Sequence, residues 1–147
     1  MLQVLVVDDD LGDVALMENA FAEHSVRSRL HHAADGAEAL AFLRRQEPYR
    51  DAPRPDLILL DLNMPRVDGR QVLSEIKADD DLKTIPTIVL TTSSSLSDIS
   101  ASYDAHANAY VTKPIDLDDF DRIVIEIRNF YGHTAILPGR PSDAASS

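Results

Sequence analysis

Asp8, Asp9, Asp61, Thr91 and Lys113 each stand at, or just past, the C-terminal end of a short apolar run. Carboxylates, a hydroxyl and an amine that recur in this position are the makings of phosphate chemistry. Three carboxylates brought together repel one another unless a cation joins them, so the set points to a divalent metal. Magnesium takes octahedral oxygen ligands and keeps several waters, a demand met by two carboxylates, one backbone carbonyl and waters. With that charge neutralised, Asp61 can act as a nucleophile toward a phosphoryl group. Phosphoryl transfer then needs mainly positioning and positive charge on the equatorial oxygens. Thr91 offers a hydroxyl for one oxygen and Lys113 an ammonium for another.

These residues meet only if the runs before them lie side by side. The runs Gln3 to Val7, Arg29 to Ala33, Leu57 to Leu60, Thr87 to Leu90 and Ala109 to Thr112 are rich in branched aliphatics. Leu57-Ile58-Leu59-Leu60 has no polar alternation, the pattern of a strand covered on both faces. Helix-period segments separate the runs, at about Leu11 to Glu23, Gly36 to Arg45, Arg70 to Ala78, Leu96 to Ala107 and Leu117 to Tyr131. The alternation predicts an α/β fold with a doubly wound parallel sheet. Ligands of such sheets bind in the crevice at the carboxyl ends of the strands, where the chemistry-bearing residues fall.

Local signals refine this. Asp8 and Asp9 should point to opposite sides and play unequal roles, while Asp10 with Asp13 reads as a D-x-x-D cap on the first helix. Pro48 to Pro55 reads as a loop. The fourth helix, serine-rich at its start, is expected to be the most mobile element. In the fifth, Phe120, Val124, Ile127 and Tyr131 form a core-facing stripe that Ile123, Ile125 and Phe130 widen. That surplus reads either as a broad core contact or as a protein interface. Gly132 reads as the stop of this helix, and Lys113-Pro114 as a candidate cis bond.

Composition limits the function classes. A chain of 147 residues with 44% hydrophobic content reads as one domain. Residues 1–131 are taken as the domain, 132–138 as an extension packing on it or on a dimer partner, and 139–147 as a disordered tail. A net charge of −11 gives nucleic acid and anionic membranes no general attraction. Cysteine is absent, which removes disulfides and thiolate zinc sites and suits a reducing cytosol. The apolar start runs straight into Asp8-Asp9-Asp10 without a signal-peptide pattern, and no run approaches the ~20 residues of a membrane helix. A cytoplasmic location with no membrane partner is expected. His24, His31, His32, His106 and His133 have no partner at ligand spacing and are read neither as metal ligands nor as phosphocarriers.

Four segments in order, Val6-Val7-Asp8-Asp9, Asp61-Leu62-Asn63-Met64-Pro65 with Asp68-Gly69, Pro86-Thr87-Ile88-Val89-Leu90-Thr91-Thr92, and Tyr110-Val111-Thr112-Lys113-Pro114, resemble the receiver domain of two-component response regulators. The similarity covers about Leu2 to Tyr131. It implies a flavodoxin-like (βα)5 sheet of strand order 2-1-3-4-5 in a three-layer α/β/α fold. It also implies that Asp61 is the phosphoacceptor, taking its phosphoryl group from a phosphohistidine on a sensor histidine kinase. Mg2+ (or Mn2+) would sit on Asp9, Asp61 and the Asn63 backbone carbonyl, with Asp8 acting through water. Lys113 would pair with a phosphoryl oxygen. Thr91 and Tyr110 would form a switch pair that alters the face made by the fourth helix, fifth strand and fifth helix.

The proline-rich segment from Glu47 to Asp56 and the tail Ala135-Ile136-Leu137-Pro138 are similar to single-domain regulators partnered with bacterial phytochrome histidine kinases, a group that tends to form homodimers through that same face. Only about 16 residues follow Tyr131, too few for a helix-turn-helix. Output is therefore expected through protein contacts, or the domain serves as a phosphate relay or sink. Kinase contact is expected near Val14, Ala15, Met17 and Glu18 on the first helix. An aspartyl-phosphate hydrolase would need a second aspartate where Asn63 stands. A flavin carrier would want a phosphate loop where Asp8-Asp9-Asp10 would repel. A receiver that has lost phosphorylation should lack one of Asp9, Asp61, Thr91 or Lys113, and all are present.

Overall fold

The structure is a computed structural model and describes residues 1–22 and 26–138. Along the chain run β1 (Leu2–Val7), α1 (Leu11–Phe21), β2 (Ser28–Ala33), α2 (Gly36–Leu43), β3 (Leu57–Leu60), α3 (Gly69–Ala78), β4 (Thr87–Thr91), α4 (Leu96–Asp104), β5 (Ala109–Thr112) and α5 (Leu117–Asn129), with a π-helical turn at Phe130–Thr134. The anticipated tail at 139–147 and His24 lie outside the described residues.

The strands form one parallel sheet in the order β2-β1-β3-β4-β5. Alternate side chains feed two cores, which is why β3 is apolar at every position. Leu5, Val7, Ile58, Leu60 and Val89 meet Leu40, Leu43, Val72, Leu73 and Ile76 of α2 and α3. Val4, Val6, Leu57, Leu59, Ile88 and Leu90 meet Val14, Met17, Phe21, Phe120, Val124 and Ile127 of α1 and α5. The α4 helix is thinly packed: Ser102 is its one buried residue, and Leu96 is 82% exposed. No helix is long and apolar enough to cross a membrane.

Each helix starts on a side-chain cap. Asp10, Asp35, Asp68, Ser95 and Asp116 accept hydrogen bonds from main-chain N–H groups of the first turns, satisfying donors that the helix leaves unpaired. Asp10 caps α1 as anticipated, but the reciprocal half of the D-x-x-D box does not form, because the Asp13 carboxylate turns to Lys113 instead.

Three local features differ from the sequence reading. The α4 helix stops at Asp104, before Ala107, because His106 takes the left-handed conformation with φ 71°. Gly132 does not stop the last helix. The chain tightens into the π turn and passes through Gly132, where a Cβ would come 2.6 Å from Val26 Cγ1. The absent side chain there serves packing, not a left-handed turn. Among the described residues the cis peptide bond is Glu47-Pro48, so Lys113-Pro114 is not cis. Beyond the turn, Leu137 packs on the α1/α5 core while Ile136 is fully exposed.

Candidate functional site

Strand pairing continues one residue past several strands and pins the rim. Asp8 N donates to Ala33 O (3.1 Å), Asp61 N to Val7 O (2.9 Å) and Lys113 N to Thr91 O (2.7 Å). The β1/β3/β4/β5 register therefore brings Asp8, Asp61, Thr91 and Lys113 to one edge, as the spacing predicted. Asp8 is buried and Asp9 exposed, the opposite orientations expected of consecutive strand-end residues.

The Lys113 ammonium is the centre of the site. It lies 2.7 Å from Asp8 Oδ2, 2.9 Å from Asp13 Oδ2 and 3.4 Å from Asp61 Oδ2. Burial by itself would lower the lysine pKa, but hydrogen bonds to Asp13 and Asp8 and the charges of Asp8 and Asp61 outweigh it. Lys113 is thus held above the ordinary lysine value. Burial pushes the Asp8 carboxyl up, against the hydrogen bonds it accepts from Lys113 and from Asp10 N. Three carboxylates around one ammonium leave an excess of negative charge in a place with little water, so the cluster still favours a further cation.

The site can hold one. Carboxylate oxygens of Asp8, Asp9 and Asp61 all lie within 4.8 Å of one another, the one such cluster of candidate ligands among the described residues. An all-oxygen donor set suits magnesium or manganese. Asn63 is exposed, and its N–H donates to Asp61 Oδ1 (3.3 Å), which folds the loop after β3 back toward Asp61. Gly69 permits that fold, since a Cβ there would come 2.0 Å from Asp61 O.

Thr91 is fully buried, and its hydroxyl has no hydrogen-bond partner among the described residues. A buried donor left unpaired is costly, and this one lies at the same rim as Asp61. Tyr110 is half-buried against the α2/α3 core, and its hydroxyl donates to Ser93 O (2.7 Å) in the β4–α4 loop.

Three site contacts escaped the sequence reading. Asp13 holds Lys113, as above. His32 Nε2 lies 2.7 Å from Asp8 O, bracing the turn between β1 and α1. Arg70 and Asp98 form a two-pronged ion pair over the loops after β3 and β4. Asp13 had a legible signal, an acid in the first turn of a helix that opens at the rim, whereas the pair 28 residues apart had none. The anticipated docking residues also need correction. Val14 and Met17 are core residues, and the exposed residues of α1 are Leu11, Gly12, Ala15, Glu18 and Asn19.

A profile of the response regulator receiver domain matches residues 4–125. The chain belongs to the response regulator receiver family. It is 44% identical over 135 residues to the response regulator Rcp1 of Synechocystis sp. (strain ATCC 27184 / PCC 6803 / Kazusa), covering 92% of each chain. In three dimensions the receiver is similar to the phosphorylated cyanobacterial phytochrome response regulator RcpA, with a TM-score of 0.91, 46% identity, and coverage of 94% of this chain and 99% of that one. It is equally similar to the Mn2+-bound form of Rcp1, with a TM-score of 0.91, 43% identity, and coverage of 95% and 100%. The flavodoxin-like fold and the 2-1-3-4-5 strand order of the receiver are those of these neighbours.

Proposed function

We propose that this receiver takes a phosphoryl group from a phosphohistidine of a sensor histidine kinase onto Asp61. An Asp61 carboxylate oxygen attacks phosphorus, the O–P bond forms as the N–P bond breaks, and the leaving imidazole takes a proton. The observation that carries this reading is the meeting of three groups at one rim: the Asp61 carboxylate, the Lys113 ammonium 3.4 Å from it, and the unpaired Thr91 hydroxyl. Lys113 and Thr91 present positive charge and a proton donor to the equatorial oxygens, which is where this reaction needs help.

Asp9, Asp61 and the Asn63 backbone carbonyl would hold Mg2+ or Mn2+, with Asp8 acting through water. Such an ion supplies charge neutralisation among the carboxylates and on the phosphoryl oxygens. The clustered carboxylate oxygens and the Mn2+-bound relative support this. The phytochrome regulators among the solved neighbours support a phytochrome-type kinase as partner, and a cytoplasmic setting is part of the same proposal.

For output, Thr91 would turn its hydroxyl to the phosphoryl group and draw the β4–α4 loop with it. Ser93 O is bonded to the Tyr110 hydroxyl, so the movement would reach β5 and the thinly packed α4. The effect would be read by a second copy of the chain. An open apolar cavity of about 480 Å3 between β5 and α5, lined among others by Val111, Ile123, Ile127, Phe130 and Tyr131, supports a homodimer through the α4/β5/α5 face. Direct nucleic-acid binding is no part of this reading, given the net charge of −11.

Intact-mass spectrometry after incubation with acetyl phosphate tests it, with and without Mg2+, beside Asp61→Asn and with size-exclusion chromatography of each sample. One Mg2+-dependent phosphate, absent from Asp61→Asn, is the expected result. Equal labelling of that variant would refute the assignment of the acceptor.

A further inference from the structure

The acceptor chemistry leaves one network at the rim unused. Arg70, in the first turn of α3, grips Asp98, in the first turn of α4, through Nε to Oδ1 (3.0 Å) and Nη2 to Oδ2 (2.9 Å). Each partner also holds a neighbour. Arg70 Nη2 donates to Asn63 Oδ1 (3.4 Å) and Nη1 to Leu62 O (3.5 Å), while Asp98 Oδ2 accepts from Ser93 Oγ (2.6 Å). Asn63 stands two residues past Asp61, and Ser93 two residues past Thr91, in the loops that follow the adjacent strands β3 and β4. The two polar side chains that flank the mouth above Asp61 are therefore fastened to the two ends of one ion pair.

That placement bears on the lifetime of an acyl phosphate. Hydrolysis needs a water in line with the Asp61–phosphorus bond, approaching from the side opposite the carboxylate, which is the open mouth. The water oxygen bonds to phosphorus as the Asp61 O–P bond breaks, its proton passes to bulk water, and the carboxylate is restored. A water whose lone pair faces phosphorus needs acceptors to hold its protons. Asn63 Oδ1 is already shared with a guanidinium, and Ser93 Oγ, turned toward Asp98 by the proton it donates, already accepts from Ser95 N–H (3.4 Å). We propose that the Arg70–Asp98 ion pair is a clamp that prolongs the phosphorylated state by keeping Asn63 and Ser93 from orienting the hydrolytic water. Both act as positioning residues. The hydrogen bonds from Arg70 and Ser93 also hold the Asp98 carboxyl below the ordinary aspartate range, which keeps the clamp ionised across the working pH of a cell.

This inference rests on Asp61 being the phosphoacceptor, and the experiment separates the two. The full chain is labelled with acetyl phosphate and Mg2+, desalted, and its loss of phosphate followed by intact mass. The set comprises wild type, Arg70→Ala, Asp98→Ala, their double variant, Asp98→Asn, and Arg122→Ala, which breaks an exposed pair with Asp119 on α5 and serves as control. Far-UV circular dichroism accompanies each sample, and the isosteric Asp98→Asn carries the comparison if Asp98→Ala does not fold. Each clamp variant should lose phosphate about fivefold faster, roughly 1 kcal/mol on the barrier. The double variant should be no faster than the faster single one, because the two residues act as a unit. Arg122→Ala should decay as wild type does. Unchanged or slower decay in the clamp variants, or additive effects in the double variant, overturns the clamp and leaves the acceptor standing. An absence of Mg2+-dependent label on wild type overturns the acceptor reading, and the clamp with it.

Discussion

Lys113 Nζ lies 2.7 Å from Asp8 Oδ2 with both side chains almost wholly buried, 4% and 2% exposed. In that setting the lysine acts as the resident cation of an acidic cluster. Lys113→Met keeps the length of the stem and removes the charge, leaving Asp8 buried beside Asp61 and Asp13. Breaking a buried pair from one side costs roughly 3 kcal/mol. We expect a loss of about that size in urea unfolding at neutral pH in EDTA. We also expect Mg2+ to stabilise the variant more than wild type, since the ion relieves a larger repulsion. An equal or smaller Mg2+ effect in the variant would show that the ammonium does not balance this cluster.

The unpaired Thr91 hydroxyl makes the opposite trade. Removing a buried donor that has no partner, while keeping the β-branched shape that β4 requires, relieves a desolvation cost. Thr91→Val should therefore be about 1 kcal/mol more stable than wild type before phosphorylation. If the hydroxyl serves a phosphoryl oxygen, the same variant should gain less stability on phosphorylation. Calorimetry of both forms checks this, and a less stable unphosphorylated variant would mean that the hydroxyl is satisfied in the resting state.

Much of the fold was legible because the sheet is covered on both faces: Leu57 to Leu60 could be apolar throughout only in a central strand. The site was legible for a related reason. Strand alternation alone separates Asp8 from Asp9, and strand ends in a parallel sheet share an edge. What stayed hidden depends on how the helices lie. Asp13 looked committed to capping α1 until Lys113 arrived from a residue 100 positions away. The Arg70–Asp98 pair exists because α3 and α4 start side by side, which no local pattern encodes. His106, with its φ of 71°, shortens α4 without the glycine that usually announces such a turn. Both Glu47-Pro48 and Lys113-Pro114 are X-Pro bonds, and only the surrounding packing decides which is cis.

Asp98 gives the fold an acid-sensitive contact. Hydrogen bonds from Arg70, and then from Ser93, hold its carboxyl below the ordinary value of 3.8. Between the folded and unfolded values the unfolded chain binds more protons, so stability rises with pH there. The contribution is fully present above 3.8 and is lost as pH falls through the folded value. Because the pair sits near solvent, its worth is about 0.2–1 kcal/mol. The stability gap between wild type and Asp98→Asn should hold level in mildly acidic and neutral solution, then close in stronger acid. Urea titrations across that range measure it, and a gap unchanged below the folded value would separate the stability effect from the charge.

Gly69 links the architecture of the loop after β3 to Asp61, the proposed acceptor. It opens α3 directly after the cap Asp68, and its N–H donates to Leu62 O (3.0 Å). A Cβ at this position would meet Asp61 O at 2.0 Å and Leu62 Cα at 2.6 Å, both rigid backbone atoms of the segment that carries the acceptor. An added methyl can be accommodated only by moving α3 or the Asp61 peptide, and overpacking of this kind costs about 1–3 kcal/mol. Gly12 offers a comparison in the first turn of α1, where a Cβ would meet no backbone and nothing tighter than the Asp10 side-chain Oδ1 at 3.2 Å. Gly69→Ala should therefore lose stability in urea, and Gly12→Ala should not. Phosphorylation of Gly69→Ala by acetyl phosphate should also slow by more than its unfolded fraction explains, because the displaced peptide is that of Asp61. If the slowdown matched the unfolded fraction alone, α3 would have yielded and the acceptor would have kept its place.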